Sequence, residues 1–203
     1  MIAIIDYGVG NVFSLKCSLE QIGARAVFTS SAEEIMSADK IILPGVGAFC
    51  DAADKLRSTG MEAVVKQCAL DGKLLLGICL GMQLLFDKSF EYGEHTGLGL
   101  IGGEVVDLSK SVTPGLKIPH MGWNELHLVK PEHPLFKYTN EKERVYFVHS
   151  YHAVNCESSL LATADYSLPV TAAVANGNVM GFQFHPEKSG NVGLKMLRAF
   201  CEM

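Results

Sequence analysis

The stretch Leu75-Leu76-Gly77-Ile78-Cys79-Leu80-Gly81-Met82-Gln83 constrains the fold of this chain more than any other. An apolar run leads into it and a helix-compatible segment leaves it, so a strand is expected to turn sharply into a helix. Glycines stand two residues before and two residues after the cysteine. In so sharp a turn the crowded backbone leaves no room for a side chain at those positions. This is the nucleophile-elbow pattern with Cys in the place of Ser. Such a turn holds its central residue out over the carboxyl end of a sheet, and the N-terminus of the following helix favours the thiolate, the reactive form of the sulfur. Cys79 is therefore the candidate nucleophile of acyl chemistry. Cys17, Cys50, Cys68, Cys156 and Cys201 lack this context and read as inert, buried packing residues.

The first half of the chain alternates strands and helices. Residues 1–5 read as a short buried strand. Gly8-Val9-Gly10-Asn11 turns into a helix with Val12, Leu15, Leu19 and Ile22 at helical spacing, ended by Gly23. Ala26–Thr29 and Lys40–Leu43 read as strands, Ser31-Ala32-Glu33-Glu34 as a helix start, Met61–Leu70 as a helix and Lys73–Ile78 as the strand before the elbow. The succession implies a mostly parallel central sheet flanked by helices. Sites in such sheets form at the carboxyl ends of strands, where Asp6, Gly45 and Cys79 would lie. The second half adds strand candidates that alternate as antiparallel strands do: Glu104–Leu108, Glu125–Val129, Arg144–Val148, Leu160–Ala164, Thr171–Val174 and Val179–Phe184. Asn176-Gly177 reads as the hairpin turn before the last strand, and Val192–Cys201 as a closing amphipathic helix. The 203 residues are taken as one α/β domain, 1–203.

Composition narrows the function. A net charge of −5 with no basic block speaks against a nucleic-acid or anionic-membrane partner. No apolar run approaches the roughly 18 residues of a membrane span, and Met-Ile-Ala-Ile-Ile-Asp begins as a strand rather than a signal peptide. The cysteines show neither a Cys-x-x-Cys pair nor metal-ligand spacing, so no metal or other cofactor is expected, and a reducing cytoplasm fits free thiols. Gly8-Val9-Gly10 lacks the third glycine of a dinucleotide fingerprint.

A thiol nucleophile needs a base, and the base needs a third group to orient it. Of the histidines at 95, 120, 127, 133, 149, 152 and 185, His185 has the best context. It follows the apolar run Met180–Phe184 and opens His185-Pro186-Glu187, which sets a carboxylate two residues away on the same side. His127 reads as a surface residue of a strand and His133 as part of a turn.

Leu-Pro-Gly-Val-Gly-Ala-Phe, Gly-Ile-Cys-Leu-Gly-Met-Gln and Phe-Gln-Phe-His-Pro-Glu, in this order and spacing, resemble the motifs of the class I, triad-type glutamine amidotransferases. The resemblance implies hydrolysis of glutamine to glutamate and ammonia through a Cys79 thioester, with His185 moving protons and Glu187 orienting it. It implies oxyanion donors from the Leu80 and Val46 N–H groups, and substrate contacts from Gly47, Gln83 and Ser150. Val46 lies between two glycines, so its peptide is expected to rotate easily. A resting state with that donor turned away would leave the isolated chain a poor glutaminase.

Asp6-Tyr7-Gly8-Val9-Gly10-Asn11, Pro119-His120-Met121-Gly122-Trp123-Asn124 and Phe147-Val148-His149-Ser150-Tyr151 are similar to a member of the class whose free-standing glutaminase docks on a separate (β/α)8-barrel cyclase as a heterodimer. That similarity implies a partner face carrying Asn11, Met121 and Trp123. Two alternatives stay open: an amidotransferase serving another acceptor, and a non-catalytic docking module of the same fold.

Overall fold

The computed structural model describes residues 1–8 and 12–203. Four parallel strands start the main sheet: β1 (Ile2–Ile5), β2 (Ala26–Thr29), β3 (Lys40–Leu43) and β4 (Leu74–Ile78). All of β1 is buried, because alternate side chains pack against opposite layers. Ala3 and Ile5 join one core; Ile2 and Ile4 join the other. Helices α2 (Ala32–Ser37), α3 (Phe49–Ser58) and α4 (Met61–Leu70) cover the first face through Ile35, Phe49, Leu56 and Val65. Helices α1 (Val12–Gln21) and α6 (Gly190–Glu202) cover the second through Leu15, Leu19, Met196, Leu197 and Phe200. Ser31 caps α2, its hydroxyl accepting from Glu34 N at 3.3 Å.

The elbow leads from β4 into α5 (Leu80–Leu84). Beyond it lie β5 (Phe86–Ser89), β6 (His95–Thr96), β7 (Ile101–Asp107), β8 (His120–Glu125), β9 (His127–Leu128), β10 (Arg144–His149), β11 (Tyr151–Val154), β12 (Leu160–Asp165), β13 (Pro169–Asn176) and β14 (Val179–Phe182). The main sheet runs β2-β1-β3-β4-β14-β13-β12-β9. It is parallel from β2 through β14 and antiparallel from there to β9. Strand β14 therefore lies beside β4 and brings the chain that follows it alongside the elbow. A two-stranded sheet of β8 and β10 and a four-stranded sheet, β11-β7-β5-β6, flank that edge.

The expected α/β architecture holds, with local corrections. No element was expected between Gly47 and Met61, yet α3 is there; its buried stripe of Phe49, Ala52, Ala53 and Leu56 is half alanine and so weakly apolar. Of the strand expected over Glu125–Val129, only His127–Leu128 form a strand of their own, β9, while Glu125 ends β8, because the chain leaves β8 at the buried Leu126 to join the main sheet. Strand β14 ends at Phe182, not Phe184, because its pairing with β4 stops where the elbow turns away; Cys79 N still donates to Phe182 O at 2.7 Å, but His185 N donates to Tyr146 O of β10 at 2.9 Å. Asn176 pairs with Val179, so the two hairpin residues are Gly177 and Asn178. Strands β5, β6 and β11 had no expected counterpart, being short and without clean alternation, and neither had the His120–Asn124 part of β8. Cys17 is exposed, not buried, on the outer side of α1, and Cys50 and Cys201 are only half-buried.

Candidate active site

Cys79 sits in a backbone conformation that L residues rarely adopt, φ 54° and ψ −112°. The two flanking glycines are required by contact. A Cβ on Gly81 would meet Leu43 O at 1.9 Å, and one on Gly77 would meet Gly81 O and Met82 N at 2.7 Å. The elbow is thus wedged between β3 and its own helix. Gly45 answers the same demand, since its Cβ would lie 2.7 Å from Gly81 N. It serves close approach rather than freedom of the loop. The loop after β3 is anchored further by the buried Tyr7 hydroxyl, which donates to Pro44 O at 2.8 Å.

His185 comes from the segment after β14. Pro186 opens a tight turn, Pro186–Lys188, and this turn rather than a continuing strand swings Glu187 back onto the imidazole. Glu187 Oε1 lies 2.8 Å from His185 Nδ1, both side chains being buried. The Ser189 hydroxyl donates to His185 O at 2.6 Å and accepts from Tyr146 N at 2.9 Å, fixing the turn to β10. Burial opposes a charge on His185, but hydrogen bonding and attraction to Cys79 and Glu187 outweigh it and push the imidazole up to about 9. At neutral pH it is an imidazolium beside the sulfur. Helix α5 has only five residues, so His185, more than a helix dipole, supplies positive charge to Cys79.

A cavity of about 310 Å³ opens over this pair. Val46, Gly47, Cys79, Leu80, Gln83, Ser150 and His185 all line it, with Glu187 behind His185. Leu80 is the first residue of α5, so its N–H has no acceptor within the helix. Gln83 Nε2 donates to Tyr151 O at 3.0 Å and to Gln183 Oε1 at 2.9 Å; the other end of Gln183, its Nε2, lies 3.8 Å from Cys79 Sγ. The thiol itself points at Val148 O, 3.9 Å away.

Glu91, His149, Tyr151 and Lys188 also line the cavity, and sequence reasoning missed them. Glu91 lies in the irregular link between β5 and β6, where no periodicity marks it. Its Oε2 accepts from Phe49 N at 2.6 Å, and burial pushes its carboxyl up. Lys188 was legible only as the neighbour of the His-Pro-Glu motif.

Met121 and Trp123 do not reach the cavity. They alternate with the buried His120 along β8 and project outward, 63% and 56% exposed. That is unusual for the only Trp of the chain, which sequence statistics would bury. The Trp123 ring packs edge-on to Tyr146 of β10 at 6.2 Å, and Lys188 Nζ lies 6.0 Å from the Tyr146 ring. Asn11, expected on the same rim, falls outside the described residues.

A cysteine elbow, a buried His–Glu pair and a mostly parallel sheet define a triad-type amidotransferase architecture. The comparisons agree: residues 3–203 match the family "Glutamine amidotransferase class-I", and the chain belongs to it. Its relatives include two proteins named imidazole glycerol phosphate synthase subunit HisH. The one from Wolinella succinogenes is 46% identical, with both chains covered in full. The one from Sulfurimonas denitrificans is 49% identical, covering all of this chain and 98% of its own. Among solved structures, one described as a glutamine amidotransferase aligns with TM-score 0.76 at 20% identity, covering 100% of this chain and 98% of the other. PurLQS from Thermotoga maritima aligns with TM-score 0.78 at 22% identity, covering 99% and 97%. At these identities the structures bear on the fold alone.

Proposed function

We propose that this chain is the glutaminase subunit of an imidazole glycerol phosphate synthase. It hydrolyses glutamine and hands the ammonia to a separate (β/α)8-barrel cyclase in histidine biosynthesis. One arrangement carries the catalytic part: Cys79 on its strained elbow and the His185–Glu187 pair facing a single cavity. The particular synthase rests on relatives of that name at 46–49% identity over essentially the whole chain. The match over residues 3–203 and a sheet shared by both halves support one amidotransferase domain.

The thiolate of Cys79 attacks the amide carbon of the glutamine side chain. The N–H groups of Leu80 and Val46 receive the developing oxyanion; one such donor is worth roughly 3–4 kcal/mol. The His185 imidazolium gives its proton to the leaving ammonia, so the thioester forms beside a neutral imidazole. That imidazole takes a proton from water as the hydroxide adds to the thioester, and glutamate leaves with thiolate and imidazolium restored. Glu187 holds Nδ1–H throughout and keeps Nε2 towards the reacting atoms. Glu91, the carboxylate on the cavity wall, takes the α-ammonium of glutamine. Gln83 spends its amide hydrogens inside the protein and presents its oxygen as an acceptor. Gly47 and Ser150 complete the pocket.

Met121 and Trp123 form the centre of the docking face. Exposed Trp and Met beside a polar rim are the composition of an interface hot spot. A closed interface keeps ammonia from being protonated and diluted in water. Among the described residues no helix is long and apolar enough to cross a membrane, and six free cysteines suit a reducing cytoplasm.

Glutamate release by the purified chain, alone and with the barrel cyclase and its phosphorylated ribulosyl ligand, tests the proposal. Low activity alone with strong stimulation is expected if the Val46 donor is turned away at rest. Robust activity alone removes the gating. No activity in either condition, with binding confirmed, leaves a docking module.

A further inference from the structure

We infer that His120 and His149 are positioning residues: a pair of hydrogen-bonded imidazoles that holds the Tyr151 carbonyl, and through it the Gln83 amide, in the orientation that accepts substrate. The inference deepens the glutaminase reading and rests on it.

The geometry fixes the direction of every proton. His149 Nδ1 lies 2.8 Å from Tyr151 O, a carbonyl that only accepts, so Nδ1 carries hydrogen. In a neutral ring Nε2 is then bare, and it accepts from His120 Nδ1 at 3.0 Å. His120 Nε2, bare in turn, accepts from Asn124 Nδ2 at 3.2 Å. Asn124 is oriented independently: its Oδ1 accepts from Glu125 N at 2.8 Å and its Nδ2 donates to Asp165 O at 2.8 Å. The chain of donors therefore runs one way, from Asn124 through His120 and His149 to Tyr151 O. Both imidazoles are buried, and burial pushes His120 down to about 4 and His149 down to about 3, which keeps them neutral.

The carbonyl they hold is shared. Tyr151 O also accepts from Gln83 Nε2, whose other hydrogen goes to Gln183 Oε1. Among the described residues nothing donates to Gln83 Oε1. With both amide hydrogens committed, only that oxygen is left for a ligand, and Gln83 reads an N–H donor. A flipped amide would instead aim N–H groups at the ligand and set oxygen against the Tyr151 carbonyl. The same chain reaches outward. His120 and Asn124 belong to β8, the strand that carries Met121 and Trp123 on its other face, so a shift of β8 on docking is felt at the substrate floor. The His120 ring is clamped between Phe147 at 4.7 Å and Tyr166 at 4.2 Å, which restricts its tilt.

The test uses the chain in complex with the barrel cyclase, with 15N-labelled histidine in this chain only. At pH 7 both rings are expected in the neutral Nδ1–H tautomer; an Nε2–H tautomer or an imidazolium at either position overturns the relay. Kinetics on the same complex give the second arm. His149→Phe is expected to raise the glutamine KM about tenfold while kcat stays within about threefold. His149→Asn, which keeps a donor near the Nδ1 position, is expected to recover most of that loss. His120→Phe keeps the ring stack and is expected to raise KM about threefold. A KM unchanged in His149→Phe, or no recovery in His149→Asn, overturns the positioning role. Absence of glutamate release by the wild-type complex would overturn the glutaminase reading instead, and the tautomer spectrum would still decide whether the relay exists.

Discussion

Cys79 and His185 reach one cavity from parts of the chain built on different plans. Cys79 belongs to the parallel half, where backbone packed on backbone sets its position: Gly45, Gly77 and Gly81 have no room for a Cβ, and a strained φ holds the sulfur out. His185 follows β14, the strand at which the sheet changes from parallel to antiparallel, and there side-chain hydrogen bonds set position: Glu187 holds its ring, Ser189 holds its carbonyl, and the two imidazoles of His120 and His149 brace the opposite wall. The nucleophile side is rigid by exclusion. The proton-handling side is held by groups that titrate and can be exchanged one at a time. Substitutions at the glycines of the first side should therefore damage the fold along with the chemistry, and substitutions on the second should separate the two.

The largest effect on chemistry is expected from Cys79→Ala, which should lower glutamate release by more than about 10³-fold. Alanine is smaller than cysteine but keeps the strained φ, so the melting temperature should stay near wild type. Glu187→Gln comes next, with a drop in kcat of roughly 10²–10⁴ and little change in glutamine KM, because the amide no longer enforces the Nδ1–H tautomer. A large rise in KM with kcat intact would contradict an orienting role. Gly81→Ala separates the two sides of the comparison. The added methyl collides with Leu43 O, and equilibrium denaturation should show a loss of roughly 3 kcal/mol or more. A Gly81→Ala chain as stable as wild type would mean that the elbow is not rigid by exclusion. Trp123→Ala should leave the isolated chain's stability nearly unchanged while weakening cyclase binding roughly tenfold or more, read by titration calorimetry.

Much of the site was legible in the sequence because its motifs encode backbone demands. The glycines around Cys79 must be glycine, and Pro186 must open the turn that returns Glu187 to His185, so short strings announce both. The parallel strands were legible for a similar reason: buried on both faces, Ile2–Ile5 and Leu74–Ile78 read as continuous apolar runs. What depended on contacts distant in sequence was not legible. Glu91 lines the cavity from an irregular link, and His120 meets His149 only because β8 and β10 pair in the register that sets them opposite each other. Nor did local pattern foretell the end of β14, since its pairing stops where another strand turns away.

The smallest expected effect is on pH dependence, where the histidines act in opposite senses. The folded state raises His185 from 6.5 to about 9, so its contribution to stability is complete below pH 6.5 and lost as pH rises through 9. It lowers His120 to about 4 and His149 to about 3, so their contribution is present above pH 6.5 and lost as pH falls through those values. Denaturation midpoints across pH 3–10 should fall at both ends, and His120→Phe should flatten the acid limb without moving the alkaline one. An unchanged acid limb would place the acid-labile groups elsewhere.

The central claim is that Cys79 alone, of six cysteines, is an activated nucleophile in a glutamine pocket. Its most direct test is covalent labelling of the native chain, in complex with the cyclase, by an electrophilic glutamine analogue, with the modified peptide located by mass spectrometry. The account predicts stoichiometric modification of Cys79, competition by glutamine, and none at Cys17 despite that residue's exposure. Labelling that follows exposure, with Cys17 modified and Cys79 spared, would contradict it.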